Sequence, residues 1–148
     1  MLLPRSPSLA KQISSIGRAI GASAALAAVE LAREAGRPLL VLAADPRQAD
    51  QLEAEIRFFA DRDLPVTHFV EWETLPYDSF SPHQDIVSDR LSVMASLPRA
   101  AHGVVIASAP SLLQRLPPTG YVAARSLHLR QGQRIERQEF IERLTASG

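Results

Sequence analysis

The chain contains no cysteine, a single lysine and no net charge, and each shortage closes off a class of function. Without cysteine there are no disulfides and no thiolate metal centres, so a cytoplasmic address is the default expectation. Sixteen basic and sixteen acidic residues cancel. Attraction of the whole surface to nucleic acid or to an anionic membrane rests on clustered positive charge and loses its basis here. The lone lysine is Lys11, and every other basic residue is an arginine. Long apolar runs are missing too: the stretch from Ile20 to Val29 is too short and too rich in alanine to span a bilayer. The opening MLLPRSPS lacks the basic-then-apolar order of a secretory signal. His68, His83, His102 and His128 show neither HxH nor HExxH spacing, so no metal site is expected. A GxSxG turn is absent as well, which argues against a serine hydrolase.

What remains suits a globular domain. The chain has 148 residues, 46% of them hydrophobic, enough for one compact core or for one domain plus part of another. Leu9, Ile13, Ile16 and Ile20 recur at helical spacing, and Ala22 to Ala35 reads as a small-residue helix closed by Gly36. Pro38 to Ala44, PLLVLAA, is a continuous apolar run of the kind buried on both faces of a parallel sheet. Asp45-Pro46 then supplies an N-cap and a first-turn proline, opening a helix with Ala49, Leu52, Ile56 and Phe59 on one face. Val66 to Val70 and Gly103 to Ala107 read as two further strands. A helix with Val87, Leu91 and Met94 turned inward lies between them, and a short one from Pro110 to Leu116 follows. Strands alternating with helices predict an α/β fold, a parallel sheet flanked by helices.

Near Gly120 the character changes. Leu127 to Leu129 reads as a short strand and Glu136 to Ala146 as a helix with Phe140, Ile141 and Leu144 inward. One strand and one helix cannot make a core. Residues 1–120 are therefore expected to form a first domain, and residues 121–148 the beginning of a truncated second one, so that the polypeptide reads as a piece of a longer protein.

The first turn and helix occupy the place of a phosphate-binding loop. A working loop has the spacing GxxxxGK[ST], with backbone N–H groups around the phosphates, lysine on the β/γ oxygens and a hydroxyl on magnesium. Aligned on Gly21, the chain puts Arg18 and Ser23 at the two glycines, Ala24 at the lysine and Ala25 at the hydroxyl. Both groups that make nucleotide binding strong are missing, and the loop is read as degenerate, with no nucleotide site.

The densest local signal is WETLPYDSFSPHQD, Trp72 to Asp85. Its aromatics and prolines argue for an ordered, packed loop. Ser81, His83 and Asp85 evoke a triad, but triads are assembled from distant segments. Glu71, Glu73, Asp78 and Asp85 match no cation-loop spacing. Trp72, Tyr77 and Phe80 could stack on bases, yet the surrounding charge is acidic. No catalytic residue is assigned. Arg125, Arg130, Arg134 and Arg137 make a modest basic cluster beside Glu136, Glu139 and Glu142.

In order along the chain, IGASAALAA, PLLVLAADPRQADQLEAEI, FVEWETLPYDSFSPHQD, RLSVMASLP, GVVIASAPSLLQRLPP and LHLRQGQRIERQEFIERL resemble one known module. This is the amino-terminal, UvrB-like module of the bacterial transcription-repair coupling factors, and the WETLPYD and SPHQD pieces are its most specific marks. The resemblance implies a P-loop-NTPase-like first domain, as in domain 1a of UvrB, whose phosphate loop is degraded. It implies a non-catalytic part of an ATP-driven DNA translocase that displaces stalled RNA polymerase and recruits UvrA. ATP and magnesium would belong to the parent's motor, outside this chain, as would the contacts with DNA and RNA polymerase. UvrA would bind the second domain, and within the present chain Arg130 and Arg134 are the candidate contacts. Two other readings are an active nucleotide-dependent α/β enzyme and a fragment of UvrB itself. The first is opposed by Ala24 and Ala25. The second is opposed by the same residues and by the lack of room for UvrB's DNA-clamping hairpin between Asp78 and Arg90.

Overall fold

The computed structural model describes residues 21–74, 78–127, 129 and 131–147. The helix expected from Leu9 to Ile20 lies outside the described residues, as do Arg18, Tyr77, His128 and Arg130. The described chain divides into two compact units, one running to Arg115 and one from Leu116.

The first unit is built on three strands, β1 (Leu39–Ala43), β2 (Val66–Phe69) and β3 (Val104–Ser108), all parallel and in the order β1-β3-β2. Leu39 and Val66 both pair with Val104, which fixes the two faces of the sheet. Side chains alternate across a strand, so Val41, Ala43, Val104 and Ile106 share one face. Against that face pack α1 (Ser23–Ala35), through Ala25, Ala28, Val29 and Ala32, and α2 (Pro46–Phe59), through Ala49 and Ile56. Small residues on α1 let its backbone lie close to the sheet, and Gly36 ends the helix in the left-handed conformation at φ 61°. Asp45 caps α2 by accepting the Gln48 N–H, while the Gln48 side chain accepts the Ala44 N–H at 2.8 Å. This reciprocal arrangement stabilises the helix start by about 1 kcal/mol.

The opposite face carries Phe69 and Ala107, covered by α3 (Gln84–Ser96) through Val93 and Met94. Helices thus flank the parallel sheet on both sides, as the alternation of elements predicts. Four expectations need correction. PLLVLAA does not lie buried on both faces: Leu40 and Leu42 are 56% and 57% exposed. The reason is tertiary: α3, the helix that covers this face, packs on β2 at the far side of the sheet. On α3 Met94 packs inward as expected, but Arg90 and Val93 are the buried residues and Leu91 is exposed. In the second unit, α5 (Thr119–Arg125) and α6 (Arg137–Ser147) form, but Ile141 and Leu144 are exposed and Phe140 is half-buried. From Leu116 onward Val122 is the buried apolar residue among those described. Leu127 and Leu129 sit in irregular backbone, where a strand was expected.

Between β2 and β3, a single 3-10 turn, Leu97–Arg99, follows α3. Beyond β3 the short α4 (Ala109–Leu113) begins at once, capped by Ser108, whose hydroxyl accepts the Ser111 N–H at 3.3 Å. In open parallel sheets the carboxyl ends of the strands, where chains turn into helices, are where ligands are held. That edge is where the first unit gathers its polar residues.

Candidate functional site

A cleft of about 540 Å³ opens at the carboxyl edge of the sheet. β1 leads into its Pro46 and Asp50 wall, β2 and the segment after it supply His68, Val70, Glu71, Glu73 and Thr74, and β3 ends in it at Ser108. α3 closes it with Ile86 and Asp89. Among the described residues, four carboxylates and one imidazole line this space, and no lysine or arginine does. Such a field opposes phosphate groups and favours cationic ones.

His68 is held on this rim by carboxylates from α2. Its Nδ1 lies 2.7 Å from Glu53 Oε2 and 3.8 Å from Asp50 Oδ1. Arg57, one turn on, reaches Glu53 at 2.7 Å. Burial pushes the Glu53 carboxyl up, but the hydrogen bonds from Arg57 and His68 outweigh it, and the group ends below its ordinary value. Glu53 is thus an ionised hinge between a histidine and an arginine. The arrangement orients the imidazole, and no nucleophile in reach of it follows from the described contacts.

Behind the cleft lies the residue that sequence spacing missed. Arg90 of α3 is 0% exposed. Its guanidinium sits 4.0 Å from the ring centre of Phe69 and 4.5 Å from that of Trp72, and it donates to the Val70 carbonyl. Burial lowers its pKa from the ordinary arginine value, opposed by the negative charge of Glu71. A clue was present in the sequence: Arg90 stands three residues after Val87 and three before Val93, on the stripe that was read as Val87, Leu91 and Met94. A charged residue in an apolar stripe has to find a partner indoors. Here that partner is the WETLPYD segment itself.

The expectation that this segment packs on the domain holds for Trp72, which is half-buried under Arg90. It fails for Phe80, which is 82% exposed on a bend that no described element covers. His83 and Asp85 do not form two arms of a triad. His83 caps α3 by accepting the Asp85 N–H at 3.3 Å through Nδ1, the same nitrogen that faces the Asp85 carboxylate at 3.3 Å. A nitrogen that accepts at the cap has no proton to donate to that carboxylate. Among the described residues, no three histidine or acidic side chains converge as a metal site would require.

At the other candidate site, Gly21 has φ 58°, and α1 begins two residues later with no side-chain cap. Ala24 is exposed, whereas Ala25 is fully buried in the core against the sheet. Of the basic cluster, Arg125 lies over the Tyr121 ring at 3.9 Å, and Arg134 is exposed. Arg130 lies outside the described residues.

No family model matches the chain. It is 38% identical over 133 residues, 90% of its length, to the transcription-repair-coupling factor of Escherichia coli. With the factor of Mycobacterium bovis it shares 42% identity over 104 residues, 63% of the chain. It is also 32% identical over 128 residues, 75% of the chain, to the UvrABC system protein B of Aromatoleum aromaticum. The chain spans about 11% of the length of the Escherichia coli protein and 18% of the last.

Proposed function

From a chain related over nine-tenths of its length to the transcription-repair-coupling factors, in the part they share with UvrB, we propose a non-catalytic interaction module of a DNA-repair factor. In this reading the parent is a cytoplasmic, ATP-driven DNA translocase that displaces stalled RNA polymerase and recruits UvrA. The present chain contributes neither ATP turnover nor the polymerase and DNA contacts. Residues 1–120 are a first domain whose phosphate loop has lost its function, and residues 121–148 open the domain that meets UvrA.

The observation that carries the non-catalytic part is chemical. Ala24 and Ala25 stand where lysine and a metal-holding hydroxyl are needed, and Ala25 is buried in the core rather than presented to a ligand. The cleft at the strand ends adds to this, since Asp50, Glu71, Glu73 and Asp89 repel a triphosphate. Removing the lysine and the magnesium ligand takes away the charge-assisted contacts on which nucleotide affinity rests.

Calorimetric titration of this chain with Mg-ATP tests the reading. No heat above dilution is expected at micromolar to low millimolar nucleotide. A micromolar site that disappears on changing residues of the Gly21 turn would favour the active nucleotide-dependent enzyme instead.

A further inference from the structure

Arg90 is more deeply buried than its hydrogen bonding warrants. The guanidinium carries five N–H donors. One nitrogen donates to the Val70 carbonyl, while Nε and Nη2 are buried with no partner among the described residues. The rings of Phe69 and Trp72 on its two sides return part of what leaving water costs, through the attraction of a cation to a π face. They do not satisfy donors that lie in the plane of the group. A buried N–H without an acceptor destabilises the state that holds it, and water would relieve it on opening.

The segment that Arg90 grips is itself under tension. Glu73 adopts φ 57°, a left-handed conformation that a non-glycine residue enters at a cost. It lies one residue past Trp72 and three past Val70, the two points that Arg90 holds. Two destabilising features therefore load the same closed arrangement, and both would be released together if the segment swung away. The sheet beneath would not be touched: Phe69 and Ala107 pack on Val93, Met94 and Leu97, and Val66 to Phe69 keep their pairing with β3.

We propose that Arg90 is a latch holding residues 70–74 closed, and that this segment opens as a unit, uncovering Trp72 between Glu71 and Glu73, while the parallel sheet stays folded. The module then has a local two-state element whose open form offers one aromatic ring flanked by two carboxylates. This device does not depend on whether the chain binds nucleotide or UvrA.

Trp72 is the single tryptophan of the chain, so its fluorescence reports the segment and nothing else. Urea unfolding of the whole chain is followed by Trp72 emission and, on the same samples, by far-UV circular dichroism. Coincident curves mean one cooperative unit, and separated curves mean sub-global opening. The emission is expected to shift red, and acrylamide quenching to rise severalfold, at urea concentrations where the circular dichroism is still native. Arg90→Lys keeps the charge but loses the planar stacking and the fork. It is expected to show the red-shifted, readily quenched tryptophan in buffer alone while retaining native circular dichroism. Coincident curves in the wild type overturn the latch. A folded Arg90→Lys chain with unchanged Trp72 emission overturns it equally, and if that variant does not fold, the wild-type curves alone decide.

Discussion

Gly103 ends the loop that delivers the chain to the central strand, and replacing it with alanine is expected to be among the most damaging single-methyl changes in the molecule. Its φ is 126°, and a Cβ built there would lie 2.7 Å from the Pro65 carbonyl oxygen. That oxygen cannot simply retreat, because it accepts the Val104 N–H at 2.8 Å. The Gly103 carbonyl in turn accepts the Leu39 N–H at 2.9 Å. One residue thus joins the first rungs of both β1-β3 and β2-β3. Holding alanine at positive φ costs about 1–2 kcal/mol. Relieving the overlap by backbone movement costs roughly 1–3 kcal/mol more. The reduced freedom of the unfolded chain returns about 0.4–1 kcal/mol. The net destabilisation is about 1–5 kcal/mol, a large share of the roughly 5–15 kcal/mol of a whole domain.

Gly36→Ala provides the control. That glycine also has positive φ, 61°, but a Cβ there meets nothing within 4 Å. Its substitution should cost only the conformational part, about 1 kcal/mol. The two variants are compared by urea denaturation followed in the far ultraviolet, with the midpoint and slope fitted together. If Gly103→Ala were no more damaging than Gly36→Ala, the steric argument would fail, and with it the claim that the Pro65 carbonyl is pinned between strands.

Two further outcomes follow from the first unit and from the tail. Glu53 has a folded-state pKa below its ordinary 4.5, so its share of stability is present above that value and is lost as pH falls through the lower, folded one. Glu53→Gln should cost about 1–2 kcal/mol at neutral pH and should flatten the acid limb of the stability curve below pH 4.5. An unchanged acid limb would mean that the His68 and Arg57 contacts do not form in solution. On the function proposed above, this chain is expected to bind UvrA weakly or not at all compared with a chain carrying the whole proposed second domain, because specific interfaces need roughly 800 Å² per partner on a rigid support. Residual binding should fade with salt if Arg134 carries it. Equal affinity of the two chains in a titration against UvrA would move the surface into the first domain.

Much of the molecule was legible from spacing alone. The parallel strands at Leu39, Val66 and Val104, the Asp45 cap and the Gly36 stop are set by interactions within a few residues, and local chemistry is what a sequence displays directly. The kinship to the transcription-repair-coupling factors was equally readable, since it rests on an ordered string of segments running through the WETLPYD stretch. Where the reading went astray, the deciding partner came from far along the chain. Leu40 and Leu42 read as buried, and they are exposed because the helix on that face, α3, packs on β2 across the sheet, a property of no single strand. On α3 Met94 faces inward as read, but Leu91 is exposed and Arg90 is buried instead, since Phe69 and Trp72, 21 and 18 positions earlier in the numbering, supply two ring faces for its charge. The acidic cleft was likewise invisible as a unit, because Asp50, Glu71, Glu73 and Asp89 meet only once three strand ends are aligned. Sequence by itself determined which segments of the first unit become helix and strand, and which family the chain resembles; past Leu116 it missed α5 and expected a strand at Leu127 and Leu129 that does not form. Tertiary structure decided which face of each element is inside, because burial depends on what lies opposite, and what lies opposite is settled by strand order.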